Sequence, residues 1–370
     1  MNIKRGCDTL NLPSLISDNR DFDDIQELIQ YLECERGDDL VNSNLHIVAT
    51  LSMFQNIDQF IASLKDFHFS IDMKAGKLLL LSKESQGKRI YIYTFFDDRN
   101  NVPLFITDAK KTNEIPEILF TYINRTKEIS NLWIAPRVMK EIKDNLVREY
   151  PDMIITYFSA RRSPNTDIHS EFRPHVERGI QYRGNDGKHT LEEMEFYYGV
   201  LPKILEVQLP NGIAFRIDNK GIITLRHGHF AGIFKIIEEV VSRLESVREA
   251  IGESGYSISR VGSRRQFSNA IQIPWSIDVP VEMHHDDVSR FCKAICSEEW
   301  NFTVLEQVLL PGSMFFSARL IDEHTGSLLD ISTTGRKIDV YPVEKIDIGT
   351  SMRFFEFVVE NIDHTATVVG

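Results

Sequence analysis

Lys77-Leu-Leu-Leu-Leu-Ser82, Arg89-Ile-Tyr-Ile-Tyr-Thr-Phe-Phe96 and Val102-Pro-Leu-Phe-Ile-Thr107 follow one another closely. Each run is short and apolar, and the second is rich in β-branched and aromatic side chains. Those are the features of strands. Between them lie Ser85-Gln-Gly87 and Asp97-Asp-Arg-Asn-Asn101, which are turn chemistry. Three strands joined by tight turns predict an antiparallel hairpin region.

Upstream, Leu45-His-Ile-Val-Ala-Thr-Leu51 predicts a strand. Asp58 to Phe67 predicts a helix, because Ile57, Phe60, Ile61 and Leu64 share a face. Downstream, Pro116 opens a helix to about Lys127, and Asn131-Leu-Trp-Ile-Ala135 reads as a strand. Pro136 opens a second helix to Tyr150, with Val138, Ile142 and Leu146 as its apolar stripe, and Met153 to Phe158 is a strand. This alternation predicts parallel βαβ units behind the hairpins, and an α/β domain over residues 41–160.

Residues 161–190 lack a period and are rich in Pro, Gly and Asn, so they read as a basic linker. An internal echo follows. Glu206 to Asp218 resembles Glu306 to Asp322, and each is followed by a Gly-containing turn, a further strand and an amphipathic helix. In the first of these helices Phe230, Ile233, Phe234, Ile237, Val241 and Leu244 form one stripe. The expected fold class is an α/β N-terminal domain followed by an α+β region with antiparallel sheets and packed helices. A duplicated meander-plus-helix unit would divide that region into α+β domains at 191–255 and 256–370.

The chain has 370 residues, of which 42% are hydrophobic and 26% charged, so a disordered or fibrous protein is excluded. Its net charge of −12 excludes a uniformly basic coat but not a local basic groove. In residues 1–40, Lys4, Arg5, Arg20 and Arg36 face ten carboxylates. That segment reads as an acidic N-terminal helix, with Ile25, Leu28, Ile29 and Leu32 at helical spacing. No apolar run is long enough to span a membrane, and no signal peptide is expected. Four scattered cysteines make no disulfide framework, so a cytoplasmic protein is expected.

Five constellations are candidates for chemistry. Asp108-Ala-Lys110 ends an apolar strand. A PD-(D/E)xK-like nuclease places a carboxylate for Mg²⁺ and a lysine on one strand face and needs a second carboxylate nearby, for which Glu84 is the better-placed partner. The 161–189 segment holds Arg161, Arg162, Arg173, Arg178, Arg183 and Lys188 with Phe172 and Tyr182 interleaved, a composition that grips phosphates and stacks on bases. Arg260, Arg264 and Arg265 form another basic cluster. Arg226-His227-Gly228-His229 precedes a helix, where free N–H groups suit an anion. Last, Cys292 and Cys296 share a helix face below His284-His285, but an apolar helix face accounts for them more simply, so no metal is assigned.

No Walker, dinucleotide-binding, nucleophile-elbow or zincin motif is present. The leading expectation is a non-catalytic, nucleic-acid-associated recognition subunit of a cytoplasmic complex, with a protein partner and no cofactor. Arg161, Arg162, Arg173, Arg178, Arg264 and Arg265 would contact phosphate. The alternatives are a Mg²⁺-dependent nuclease using Glu84, Asp108 and Lys110, and a protein-binding scaffold.

Overall fold

The computed structural model describes residues 12–16, 20–36, 44–162, 168–210, 212–228, 230–261, 267–280, 291–297, 300–309 and 315–369, with side chains left out at 256–261 and 267–271. Its centre is an 11-stranded sheet. The strands run in the order β2 (Ser70–Ala75), β3 (Leu78–Ser85), β4 (Lys88–Asp97), β5 (Val102–Thr107), β1 (Leu45–Ser52), β11 (Ile222–His227), β10 (Ala214–Asp218), β9 (Leu201–Gln208), β7 (Ile154–Arg162) and β8 (Arg178–Arg183). The short β6 (Ile129–Asn131) also pairs with β1.

The hairpins form as the turn chemistry predicts. Between β3 and β4, Gln86 and Gly87 both take positive φ, 51° and 76°. Two such residues match the twist of flanking strands.

The parallel βαβ expectation is corrected. Every pairing between the named strands is antiparallel, and the one parallel contact among the described residues is an isolated bridge between Phe22 and Gly76. β6 pairs with β1, whereas β7 pairs with β8 and β9. The intervening helix therefore joins strands in different parts of the sheet. The 161–190 segment carries the end of β7 and all of β8. β8 is an edge strand whose residues alternate between half-buried and exposed. Such a strand leaves little apolar signal in the sequence.

Helices cover both faces of the large sheet. α1 (Ile25–Cys34) and α2 (Ile57–Asp66) come first. A π-helical turn at Ile115–Phe120 leads into α3 (Thr121–Arg125). α4 (Pro136–Glu149), α5 (Gly187–Tyr198) and α6 (Ala231–Glu253) follow. In β3, Leu78 and Leu80 join one core cluster while Leu79 and Leu81 join the other. Successive side chains alternate across a strand, so the four-leucine run is buried on both faces. The second cluster packs Phe60 and Leu64 of α2 and Tyr122 of α3 against Phe96 and Phe105.

A six-stranded antiparallel sheet forms the C-terminal part, in the order β15 (Phe302–Leu309), β16 (Phe315–Asp322), β17 (Leu328–Thr334), β18 (Lys337–Pro342), β14 (Trp275–Asp278) and β19 (Thr367–Val369). A separate hairpin joins β12 (Gly255–Val261) to β13 (Phe267–Ile273). Both meander-plus-helix units are present. β9–β11 lead to α6, and β15–β18 lead to α7 (Ile348–Asn361). The helices α6 and α7 pack on each other, and one core cluster runs through both sheets. Mixed helices with two large antiparallel sheets are the α/β and α+β character expected from the sequence. Among the described residues, no helix is long and apolar enough to cross a membrane.

Candidate functional site

Where the two sheets meet, a cavity of about 390 Å³ opens. One wall comes from the large sheet: Ser130 and Asn131 of β6, Trp133, and the β10–β11 turn with Asn219 and Lys220. The other comes from the C-terminal part: Trp300, Asn301, His324, and Arg353, Glu356 and Glu360 of α7.

The turn that presents Lys220 is held tightly. Ile134 N–H donates to the Asn219 carbonyl at 2.9 Å. Gly221 has φ +72°, and a Cβ there would lie 2.2 Å from the Leu132 carbonyl oxygen. Only glycine permits that approach.

The α7 wall follows from helical spacing. Arg353, Glu356 and Glu360 are three and four residues apart, so they share one face. Other faces of α7 are fixed by aromatic contacts. Phe357 meets Phe291 and Trp300 at centroid distances of 5.0 and 5.5 Å, and Phe354 meets Phe302 at 6.4 Å. Asp347 caps the helix by accepting from Thr350 N–H at 2.9 Å.

Asp322, fully buried at the end of β16, accepts from the Arg353 guanidinium, the Thr350 hydroxyl and, at 2.9 Å, His324 N–H. This network pins the β16–β17 turn, and hence His324, against α7. The Asn301 amide donates to His324 Nε2 at 3.0 Å, which leaves the ring proton on Nδ1. Burial, then the Arg353 charge, hold His324 below its ordinary pKa and so favour the neutral ring.

Glu360 accepts from Lys203 of β9 at 2.7 Å. The Glu356 carboxyl makes no hydrogen bond among the described residues. Burial, then the neighbouring Glu360, push its carboxyl up to about 8, while Arg353, Lys220 and Lys203 pull the other way. A carboxyl that titrates near neutrality can donate or accept a proton at physiological pH. Two further polar atoms of lining residues, Asn131 Oδ1 and Arg353 Nε, are buried without a hydrogen-bond partner. Buried polar atoms are nearly always paired, so this network is incomplete as it stands.

None of these residues is an expected site. The expected ones lie elsewhere. Glu84 stands opposite Arg89 of β4, while Asp108 follows β5 on the other side of β4. An intervening strand puts them on the order of 10 Å apart. Asp108 instead faces Lys88 and Glu114, and Lys110 N–H donates to Glu114 at 2.7 Å. Among the described residues no cluster of three His, Cys, Asp or Glu is placed to hold a metal.

The 161–189 arginines are largely engaged within the fold. Arg162 is buried, and its guanidinium donates to the carbonyls of Ile168 at 3.0 Å, Pro174 at 3.1 Å and Gly199 at 3.2 Å. It is a clamp rather than a phosphate contact. Gly199 terminates α5 at φ +58°, where a Cβ would collide with that guanidinium. Arg161 pairs with Glu177. Arg178 stacks 4.6 Å above the Tyr198 ring and donates to the Phe172 and Arg173 carbonyls. Around it Phe172, Phe196 and Tyr197 are 50%, 59% and 39% exposed. Phe172 lies 5.7 Å from Tyr197, and Phe196 lies 5.1 Å from it. The guanidinium groups of Arg162 and Arg178 thus both hold the 168–174 loop, and an aromatic patch surrounds it.

The anion site expected at Arg226-His227-Gly228-His229 is already filled from within. Glu33 of α1 accepts from the first N–H of α6, at Ala231, at 2.8 Å. Arg226 is held by Asn44 and Glu206. His229, Arg264, Arg265 and His284-His285 lie outside the described residues, and Arg260 is described by its backbone alone. Cys292 donates to Gln307 at 3.3 Å.

The sequence signal for the cavity was present but faint. Arg353, Glu356 and Glu360 are charges at i, i+3 and i+7 within an otherwise apolar helix. That spacing places charge on a face whose neighbours bury it.

A large antiparallel sheet flanked by helices, a second antiparallel sheet, a polar cavity where the two meet and an exposed aromatic-arginine patch make this an α/β multi-region protein. An Archaeoglobus fulgidus protein described as an uncharacterized protein is 31% identical over 349 residues, covering 92% of this chain and 94% of the relative. The chain belongs to the same family as that archaeal protein. Residues 137–220 match the AF_0896_M model, described as a family middle domain. That segment runs through α4, β7, β8, α5, β9 and β10, and so contains both the Arg162 clamp and the aromatic patch.

Proposed function

We propose that this protein is a non-catalytic recognition protein that binds single-stranded nucleic acid through the patch around Arg178. The observation that carries the reading is the clustering of exposed Phe172, Phe196 and Tyr197 around Arg178 and the Tyr198 ring. Aromatic faces stack on bases of any sequence, and adjacent cations attract the backbone. The overall charge of −12 limits this attraction to a local surface and opposes coating of duplex DNA. The wide separation of Glu84 from Asp108 favours binding over Mg²⁺-dependent cleavage.

The test is fluorescence anisotropy of a labelled oligonucleotide of about 20 nucleotides with the full chain, at about 50 and about 200 mM salt. Saturable binding that weakens with salt is expected. The double variant Phe172→Ala/Phe196→Ala should bind about fivefold or more weakly. No binding at the lower salt overturns the reading. A copurifying protein with no nucleic-acid affinity assigns the patch to a protein partner instead.

A further inference from the structure

We propose that the open face of the large sheet over β10, β9, β7 and β8 is a second contact surface for single-stranded nucleic acid, gripping its phosphates through Arg183, Arg216 and Arg226. This surface extends the nucleic-acid reading above, on which it rests, to the opposite side of the sheet. The ladder registers set Arg216 beside Glu206, Glu206 beside Tyr157 and Tyr157 beside Arg183. Residues in register share a face. Their chain neighbours Phe215, Leu205, Val207 and Phe158 all belong to the first core cluster, so the row points the other way. On that side the second core cluster reaches Ile222 of β11 and includes no residue of β10, β9, β7 or β8. A polar row therefore stands where the apolar cover ends.

The fold leaves the cations of this row underused. The guanidinium carbon of Arg216 lies 4.7 Å from the Tyr157 ring centroid, and that of Arg183 lies 5.5 Å from it. Tyr157 thus holds both groups by cation–π contact. The Arg216 side chain is only 24% exposed, yet it makes no hydrogen bond among the described residues. Its Nε is enclosed, while its Nη groups reach the surface and stand 3.9 Å from Glu206 at the closest. Arg226 approaches the same Glu206 oxygen at 3.5 Å, well beyond the ~2.7–2.9 Å of a charge-assisted hydrogen bond. Arg183 is exposed and pairs with no carboxylate among the described residues. Three arginines share one carboxylate, which leaves two positive charges unmatched on a chain whose net charge is −12.

Spacing selects a linear polyanion. Arg226 on β11 and Arg183 on β8 are four strands apart, about 20 Å at the usual strand separation. One small anion cannot span that distance, whereas a phosphodiester backbone presents a charge at every nucleotide. β8 then joins this face to the aromatic patch. It is an edge strand, and Arg178 and Arg183 sit at its two ends on opposite faces. They are about 17 Å apart along the strand. A flexible single strand can bend round that edge. A duplex, with a persistence length of about 150 base pairs, resists such a bend.

Fluorescence anisotropy on the full chain tests this, with a labelled single strand of about 20 nucleotides titrated across about 50 to 200 mM salt. Arg183→Gln/Arg226→Gln, both on the surface, should bind about fivefold or more weakly at the lower salt. It should also reduce the salt slope by about two, one for each lost phosphate contact. Glu206→Gln should bind about twofold or more tightly, because it removes the carboxylate that the phosphates approach. Phe172→Ala/Phe196→Ala should weaken binding and leave the slope unchanged. A duplex of the same length should bind more weakly than the single strand. An arginine variant with the parent's slope and affinity overturns the proposal, and the reading of the patch survives if the aromatic variant still weakens binding. The reverse pattern, arginines needed and aromatics not, keeps this face and overturns the patch. A duplex bound as tightly as the single strand overturns the proposal, and no binding at the lower salt overturns both.

Discussion

Lys203 on β9 donates to Glu360 on α7 at 2.7 Å, across 157 positions of sequence. Their side chains are only 15% and 7% exposed, so this ion pair is a buried bond between the large sheet and the last helix. A buried pair need not stabilise relative to apolar residues, but removing one partner strands the other charge. Lys203→Met is therefore expected to cost about 3–5 kcal/mol in urea unfolding. The double variant Lys203→Met/Glu360→Leu should recover most of that loss. A single variant as stable as the parent would show that the pair does not couple the two sheets.

The Glu33–Ala231 bond makes a second prediction. Glu33 accepts from the first N–H of the 23-residue α6, in the manner of a cap supplied by another helix. Glu33→Ala should cost about 0.5–2 kcal/mol, as loss of a cap does. It should also leave the helix start open to anions. Sulfate is expected to raise the melting temperature of Glu33→Ala more than that of the parent, measured against chloride at equal ionic strength. Equal effects on both proteins would count against the helix start as the anion's position.

These two contacts show which parts of the molecule were legible in sequence. The strands at 77–107 and the stripe of α6 announce themselves through apolar period and turn residues, which are local properties. The pairing of β1 with β11, and of β7 with β9, joins segments far apart in the chain, and no local signal encodes it. The same holds for the sites. Arg161 and Arg162 look alike in sequence, yet one is paired with a surface carboxylate and the other buried among carbonyls. Their difference arises where Gly199 and the 168–174 loop close over Arg162. Glu356 was likewise invisible as a titrating group, because its environment is built from β6, the β10–β11 turn and the β16–β17 turn as well as its own helix.

The contrast between the adjacent arginines is measurable. Arg162→Ala removes the donor from three backbone carbonyls, and each buried unsatisfied group costs about 1–3 kcal/mol. A loss above about 2 kcal/mol is expected, and Arg162→Lys should rescue little of it, since an ammonium cannot span the same fork. Arg161→Ala breaks an exposed pair and should cost less than about 1 kcal/mol. Chemical denaturation of the three variants decides the matter. Equal losses at both positions would contradict the clamp.

Separation of the carboxylates leads to a prediction about Mg²⁺. Glu84 and Asp108 lie on opposite sides of β4 and so do not face each other across neighbouring strands, as the two carboxylates of such a Mg²⁺ site would. Millimolar Mg²⁺ should not shift the melting temperature, and plasmid or RNA should stay intact. Asp108→Asn should be as stable as the parent or slightly more so, because the protein already pushes the Asp108 carboxyl upward by burial. Cleavage that requires Mg²⁺ and disappears in Asp108→Asn would reverse this assignment.

Stability against pH, compared between the parent and Glu356→Gln, separates Glu356 from the other shifted groups. Its carboxyl is raised from 4.5 to about 8 on folding. Between those values the native state holds a proton that the unfolded chain has released, so stability falls as pH rises and levels off above about 8. His46 acts in the opposite sense over a lower range. Burial, then Lys111, lower its pKa from 6.5 to about 4, so its contribution is present above 6.5 and is lost as pH falls through that range. The two effects oppose each other between about 4.5 and 6.5. From about 6.5 to 8 the Glu356 contribution falls while that of His46 stays constant. Over that interval the parent should lose about 2 kcal/mol relative to Glu356→Gln. Urea titrations of both proteins at several pH values measure the difference. A constant difference across the interval would mean that Glu356 does not hold its proton in the folded cavity.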